Sequence, residues 1–376
     1  MKRTIITLEI RELKIPFKQS FKHHSAERNI TQTVLVTAGD GELKGYGESC
    51  PREYVTGESV QSALKFFAEV RETLVNQVND LESLKEYATS FVENINQNPS
   101  AWCAIELALL DLFAKRQHCS VERLLNLPEL EGSFFYTAVI GDGSFEAFEK
   151  MASQYIQMGF KDFKIKITGN AALDFPKLIL LKKLAGDTSK IRLDANNLWS
   201  NIEDVLSYLS EIPVQLSGLE EPLSGTDLSQ LKKLAEQISI PIILDESFNR
   251  IEQISELMNH KDAFIINLRV SKMGGLLNSI EIADKARKEN IGLIIGAQVG
   301  ETSILTRAAL SVANFCKGYY RAIEGGFGTL LLEHDVVEVP LMFGKAGELE
   351  SGKSLKAAHG LQLAIKDDLI NGVAAN

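Results

Sequence analysis

The 376-residue chain has little cysteine, little histidine and no long apolar run, and each shortage removes a class of function. Its four cysteines, Cys50, Cys103, Cys119 and Cys316, form no CxxC pair and no metal-ligand spacing. They read as buried free thiols of a reducing compartment, not as a disulfide frame or a zinc site. No stretch of 18 apolar residues occurs, and IELALLDLFA is interrupted by Glu106 and Asp111, so it reads as a core-facing helix and not a membrane span. The opening MKRTIITLEIREL is broken by Glu9, Arg11 and Glu12 before a signal-peptide core can form. A cytoplasmic protein without a membrane partner is the expectation. Lysine and arginine form no stripe and the net charge is −10, which argues against nucleic acid as a partner. A glycine-rich dinucleotide fingerprint is also missing.

What is present is a composition of 45% hydrophobic and 24% charged residues, in a chain long enough for a barrel of about 250 residues plus a second domain. TIITLEIREL and TQTVLVTAG are strand-like, with a hairpin signal at Gly39-Asp40-Gly41. Helical stretches follow at roughly 57–77, 80–95 and 99–117, the last with Ser100 as candidate N-cap. Residues 1–130 therefore read as an α+β capping domain.

From Phe134 the rhythm changes. FFYTAVIG, DFKIKI, IRLDAN, LSGLEEP, IPIILDES, AFIINLRV, IGLIIGAQ and YYRAIEGG are short β-rich runs, each followed by a polar helical stretch. Eight such units over 131–330 predict a (β/α)₈-type TIM barrel in place of an open doubly wound sheet. The segment 331–376 is expected to return to the capping domain.

Charged residues fall at the ends of successive strands: Lys166, Asp194, Glu220, Asp245 and Arg269, about one βα unit apart. Barrel active sites are built at those ends, so the five should converge. Burying several charges together is expensive unless they pair or act, so the cluster reads as functional, with ion pairs among them as the plain alternative. Three carboxylates and no His or Cys at a strand end suit a hard divalent cation, Mg²⁺ before Zn²⁺. Glu221 and Glu246 each neighbour a proposed ligand, and strand alternation predicts that only one of each pair points inward. Lys164 shares a face with Lys166, and mutual repulsion is expected to push one ammonium toward a usable base.

At these residues the sequence resembles the enolase superfamily, within it the muconate-lactonizing-enzyme subgroup. SAWCAIELALLDLFAKR, FKIKITG, RLDANNLW, LEEP, LDES, NLRVSKMGG and the Glu301 of GAQVGETS carry the resemblance along nearly the whole chain. It implies Lys166 as base with Lys164 tuning it. Asp194, Glu220 and Asp245 would be ligands of one Mg²⁺, for which Mn²⁺ can substitute, and the metal would stabilise the enediolate left when the α-proton departs, as the general account of such sites has it. It further implies a small-molecule carboxylate substrate and a homo-oligomer. The family's specificity loop corresponds to KQSFKHHSAE, making His23 and His24 substrate-binding candidates. Lys272, Gln298, Glu301 and Glu324 are further candidates.

Two positions depart from the family pattern. Where members carry a second lysine, five residues before the Gly-Gly pair, this chain has Arg269, which stays protonated and makes a poor base. Arg269 instead orients a carboxylate, stabilises negative charge, or pairs with Asp245 or Glu246. Lys272 lies three residues on. At the eighth strand, dipeptide epimerases carry two aspartates that hold an ammonium, but here Ala322-Ile323-Glu324 leaves one acid. The leading expectation is thus a one-base isomerase or lyase, a cycloisomerase or dehydrating synthase. A racemase or epimerase of N-acyl amino acids or dipeptides is the alternative, with Lys272 or another group serving the second face. A barrel that binds a carboxylate without turnover is the reading from another class.

Overall fold

The computed structural model describes residues 6–23, 26–225 and 227–370. Strands β1 (Thr7–Leu13), β2 (Pro16–His23), β3 (Ala26–Ile30), β4 (Thr33–Gly39) and β5 (Lys44–Ser49) come first. They are followed by helices α1 (Glu53–Thr56), α2 (Val60–Gln77), α3 (Leu81–Ser90), α4 (Val92–Gln97), α5 (Pro99–Arg116) and α6 (Val121–Leu124). β1, β4 and β5 form an antiparallel sheet, with the expected Asp40 turn closing the β4–β5 hairpin, while β2 and β3 pair separately. The 57–77 stretch begins at Val60 behind a Ser59–Ser62 capping box, and the 80–95 stretch breaks at Phe91 into α3 and α4.

Helix α5 is the packing axis of this region, buried continuously over residues 100–114. Ser100 is not its N-cap: Asn98 holds that place, Pro99 opens the helix, and the free amides of Ser100 and Ala101 are met by the Glu58 carboxylate at 2.8 Å each. A proline at the first helical position has no N–H to satisfy, and the start lies two residues earlier than the serine suggests. β5 lies so close to α5 that an added Cβ on Gly47 would stand 2.1 Å from the Ala104 carbonyl oxygen, and one on Gly45 2.2 Å from that of Ala108. Backbone cannot yield there as a side chain would. Gly47→Ala is expected to lower stability by at least about 1–3 kcal/mol, read as a lower urea midpoint at unchanged m-value.

The second part begins with β6 (Ser133–Phe135) and β7 (Ala138–Ile140). There follow α7 (Phe145–Met158), β8 (Asp162–Lys166), α8 (Ala171–Ala185), β9 (Lys190–Asp194), α9 (Ile202–Ser210), β10 (Gly218–Glu220), α10 (Leu228–Ala235) and β11 (Ile242–Leu244). Then come α11 (Gln253–Leu257), β12 (Phe264–Leu268), α12 (Leu276–Lys288), β13 (Gly292–Ile295), α13 (Ser303–Phe315), β14 (Ala322–Ile323) and β15 (Glu348–Glu350). β7 to β14 form one parallel eight-stranded sheet in sequence order. A parallel bridge between Tyr136 and Ile323, with Thr137 N donating to Ile323 O at 2.7 Å, brings the last strand back to the first: a (β/α)₈ barrel.

The single strand expected at FFYTAVIG is divided. Ser133–Phe135 pairs antiparallel with β15 from the tail, and only Ala138–Ile140 enters the barrel. An apolar run has no mark of which partner each half meets. The tail also reaches back to the first part: Leu361 N and Tyr46 N both donate to Asp111 of α5, and the Tyr46 hydroxyl donates to Asp367 at 2.8 Å.

Carboxylates from the first part seat two barrel helices. Glu48 of β5 accepts from the Thr302 and Leu305 amides at the start of α13, and Glu106 of α5 accepts from Leu276 and Leu277 at the start of α12. Helix N-termini present unsatisfied N–H groups and partial positive charge, which these buried acids meet. Among the described residues no helix is long and apolar enough to cross a membrane.

Candidate active site

Lys166, Asp194 and Glu220 are the last residues of β8, β9 and β10, and the register places Lys166 beside Asp194 and Asp194 beside Glu220. Asp245 follows β11 directly, and Arg269 follows β12. All five expected strand-end charges therefore gather at the C-terminal end of the barrel.

Lys164, two residues before Lys166 and on the same face, is buried among acids. Its Nζ lies 2.7 Å from Glu324 Oε2, 3.0 Å from Glu220 Oε2 and 3.6 Å from Asp194 Oδ2. Burial alone would lower its pKa, but Glu220, Glu324 and Asp194 outweigh that and hold it above the ordinary lysine value. The expected mutual depression of the two lysines is thus not what governs Lys164. Opposite charges nearer than Lys166 decide its state. Lys166 donates from Nζ to Asn196 Oδ1 at 2.7 Å and lies 3.6 Å from Asp194 Oδ2.

Across the mouth, the Arg269 guanidinium pairs with Asp245 and comes within 3.8 Å of Glu220 Oε1. Arg269 thus makes the ion pair with Asp245 that is expected as its plain alternative. Lys272 is 0% exposed. It donates to the Asp245 carbonyl at 2.6 Å, to Asp245 Oδ1 at 3.1 Å and to the Asn267 carbonyl at 2.9 Å, and burial holds its pKa below the ordinary lysine value.

The alternation expected of the two neighbouring pairs is met at Glu221. Glu221 turns away, its Oε1 accepting from the Asp245 amide and from the Ser247 amide and hydroxyl. Glu246 is buried, and its pKa is raised well above the carboxylate range, first by burial and then by Asp245, Glu221 and Asp194. β11 ends at Leu244, so Asp245 and Glu246 stand on a loop where the two-residue period no longer applies.

Glu324, just past β14, is committed to Lys164 and to Arg192, whose Nη1 is 3.2 Å from Glu324 Oε1. Gln298 and Glu301 follow β13; Gln298 N donates to Glu301 Oε1 at 2.7 Å, and burial pushes the Glu301 carboxyl up to about 7. The Gln298 side-chain amide is buried with no partner among the described residues. His23 ends β2, in the β2–β3 ribbon, and His24 lies outside the described residues. A groove of about 770 Å³ lined by Lys85, Trp102, Leu277 and Asp284 includes none of the strand-end charges.

Three residues of the cluster were not singled out from the sequence. Arg192 donates to Thr137 Oγ1 and Asp162, Asn196 receives Lys166, and Asn267 donates to Glu220 Oε1 at 3.0 Å. The signal was available for two of them: Arg192 stands two residues before Asp194 on its strand and Asn267 two before Arg269, which puts each on the inward face.

As oxygen donors on adjacent strand ends, Asp194, Glu220 and Asp245 have the chemistry a hard divalent cation needs. Positive charge already stands among them, in Lys164 between Asp194 and Glu220 and in Arg269 between Glu220 and Asp245. In that arrangement no group of three or more His, Cys, Asp or Glu among the described residues is placed to hold a metal ion. Burial, then Asp194, Glu324 and Asp245, push Glu220 up to about 8 in spite of Lys164. A cation would relieve that repulsion of Glu220, so by donor chemistry the three carboxylates suit one.

A (β/α)₈ barrel with lysines on its second strand and acids ending its third, fourth and fifth strands defines a class of barrel enzyme. Residues 147–352 match the family described as enolase C-terminal domain-like, and residues 1–126 match the N-terminal domain of mandelate racemase / muconate lactonizing enzyme. The chain belongs to this family of the enolase superfamily. It is 27% identical over 374 residues to a D-Ala-D/L-Ala epimerase of Cytophaga hutchinsonii, covering 96% of this chain and 95% of that protein. Among solved structures it resembles the 2-chloromuconate cycloisomerase of Rhodococcus opacus, with a TM-score of 0.86 and 21% identity over 99% of this chain and 100% of that one. It also resembles the dipeptide epimerase of Enterococcus faecalis complexed with Mg and the dipeptide L-Leu-L-Tyr, with a TM-score of 0.81 and 23% identity over 96% of this chain and 99% of that one. At such identities the structural likenesses concern the fold.

Proposed function

We propose that this chain is a Mg²⁺-dependent enzyme that removes the proton α to a substrate carboxylate, working from one face with Lys166 as its base. The supporting observation is the distribution of basic groups. Lys166 stands on one side of the acids, while the opposite side offers Arg269, which stays protonated, and Lys272, which is fully buried and bonded three ways. Lys272 is therefore set aside as a second base. The third reading, binding without turnover, is disfavoured by the paired lysines, which a binder does not need.

Asp194, Glu220 and Asp245 would hold the metal. When bound, the cation supplies positive charge to the substrate carboxylate, stabilisation that is usually the largest catalytic contribution. Lys166 takes the α-proton on Nζ, aimed by the Asn196 amide oxygen. Lys164, held protonated by its acids, keeps positive charge beside the reacting centre. Arg269 stabilises negative charge from the far side.

Racemisation or epimerisation is the second reading, favoured by the similarity to a dipeptide epimerase. Against a substrate ammonium stands Glu324, whose charge is already met by Lys164 and Arg192. The test is incubation with Mg²⁺ in D₂O against N-acyl amino acids, dipeptides and sugar acids, following α-hydrogen exchange and configuration. Exchange with retained configuration is expected. Inversion would overturn the one-base assignment, and no change with any carboxylate would favour a binding protein.

A further inference from the structure

We infer that Glu221 is a positioning residue that sets the Asp245 carboxylate in the barrel mouth, an inference that rests on the metal-site reading above. Glu221 directly follows the fourth barrel strand, fully buried, with a backbone φ of 40°. That left-handed conformation is one in which glycine is at ease and a side chain is strained. A glutamate at such a φ persists only where the surroundings hold it, and such strain gathers at functional sites.

The surroundings here are the loops of the three proposed ligands. Glu221 Oε1 accepts from Asp245 N at 2.5 Å, Ser247 N at 2.8 Å and Ser247 Oγ at 2.7 Å. Its own amide donates to Ile243 O at 3.1 Å, and its carbonyl accepts from Asn197 N at 2.7 Å. One residue thereby joins the loop after Asp194, its own neighbour Glu220 and the loop that carries Asp245.

The Asp245 backbone is gripped from both ends: its N–H by the Glu221 carboxylate and its C=O by the buried Lys272 ammonium at 2.6 Å. Opposed charges on the two ends of one residue fix its backbone, and with it the direction in which its side chain leaves the chain. Groups that orient ligands in this way set metal affinity without touching the metal.

The test is titration of Mg²⁺, followed by calorimetry and by Mn²⁺ paramagnetic resonance, into the full chain and its Glu221→Ala, Glu221→Gln and Ser247→Ala variants. Glu221→Ala is expected to weaken metal binding about 10–100-fold. Glu221→Gln keeps an acceptor oxygen at the same reach and is expected to restore most of that loss, a rescue that a merely structural defect would not show. Should Glu221→Ala fail to fold, Ser247→Ala carries the test, with a smaller loss of affinity expected and an unchanged one overturning the assignment. Metal binding by Glu221→Ala equal to that of the parent would overturn the role of Glu221 alone. A parent chain that takes up neither Mg²⁺ nor Mn²⁺ would overturn the metal-site reading, and this inference with it.

Discussion

Lys166→Ala is expected to lower the rate of α-hydrogen exchange by about 10²–10⁴-fold, the range a positioned general base contributes. Lys166 ends β8 and reaches Asn196 and Asp194 without being sealed in, whereas Lys164 is bound to three acids and Lys272 to Asp245 and Asn267. Of these three lysines Lys166 has the most exposed side chain, 11% against 5% for Lys164 and 0% for Lys272. Metal affinity should change far less than the rate, because Lys166 approaches only Asp194 of the three candidate ligands. Parallel measurement of exchange by proton NMR and of Mg²⁺ binding by calorimetry separates the two effects. Exchange surviving at near the parental rate would remove Lys166 from the role of base.

Arg307→Ala is expected to destabilise the fold by about 3–5 kcal/mol, measured as a loss of urea midpoint. Arg307 of α13 makes a bidentate pair with Glu122 of α6 at 2.7 and 2.8 Å, both side chains 0% exposed, and Ser311 Oγ donates to the same carboxylate at 2.6 Å. Removing the guanidinium strands a carboxylate in a site water does not reach. Replacing both partners with apolar side chains of similar size should restore most of the loss, since the penalty belongs to the unpaired charge.

The same pair gives a pH dependence of definite sign. Burial would raise the Glu122 pKa, but Arg307 with its hydrogen bonds outweighs burial and holds it below the ordinary carboxylate value. A depressed folded pKa contributes stability that is fully present above the unfolded value, about 4.3, and is lost as pH falls through the folded one. Midpoints measured down this acid range should fall, and the Arg307→Ala protein should lack that share of the slope.

The barrel was legible in the chain because each strand is a short apolar run ended by a polar residue, and that alternation is local. The convergence of Lys166, Asp194, Glu220, Asp245 and Arg269 was legible for the same reason: strand direction is common to all parallel units, so strand ends meet wherever the barrel closes. The inward turn of Arg192 and Asn267 lay within the same two-residue rule. Tertiary structure alone decided the rest. The FFYTAVIG run divides because a strand from the distant tail pairs with its first half, and nothing local records a partner some 200 residues away. Ser100 yields its capping place to Asn98 and Glu58 because a carboxylate from an earlier turn of chain reaches the helix start. The state of Lys164 depends on how near three acids from three other strands come to one ammonium, and the sealing of Lys272 on the Asp245 backbone. Pattern along a chain determines which face a side chain takes, whereas charge state and enclosure depend on distances between elements, which fall off steeply in energy and exist only once the barrel has closed.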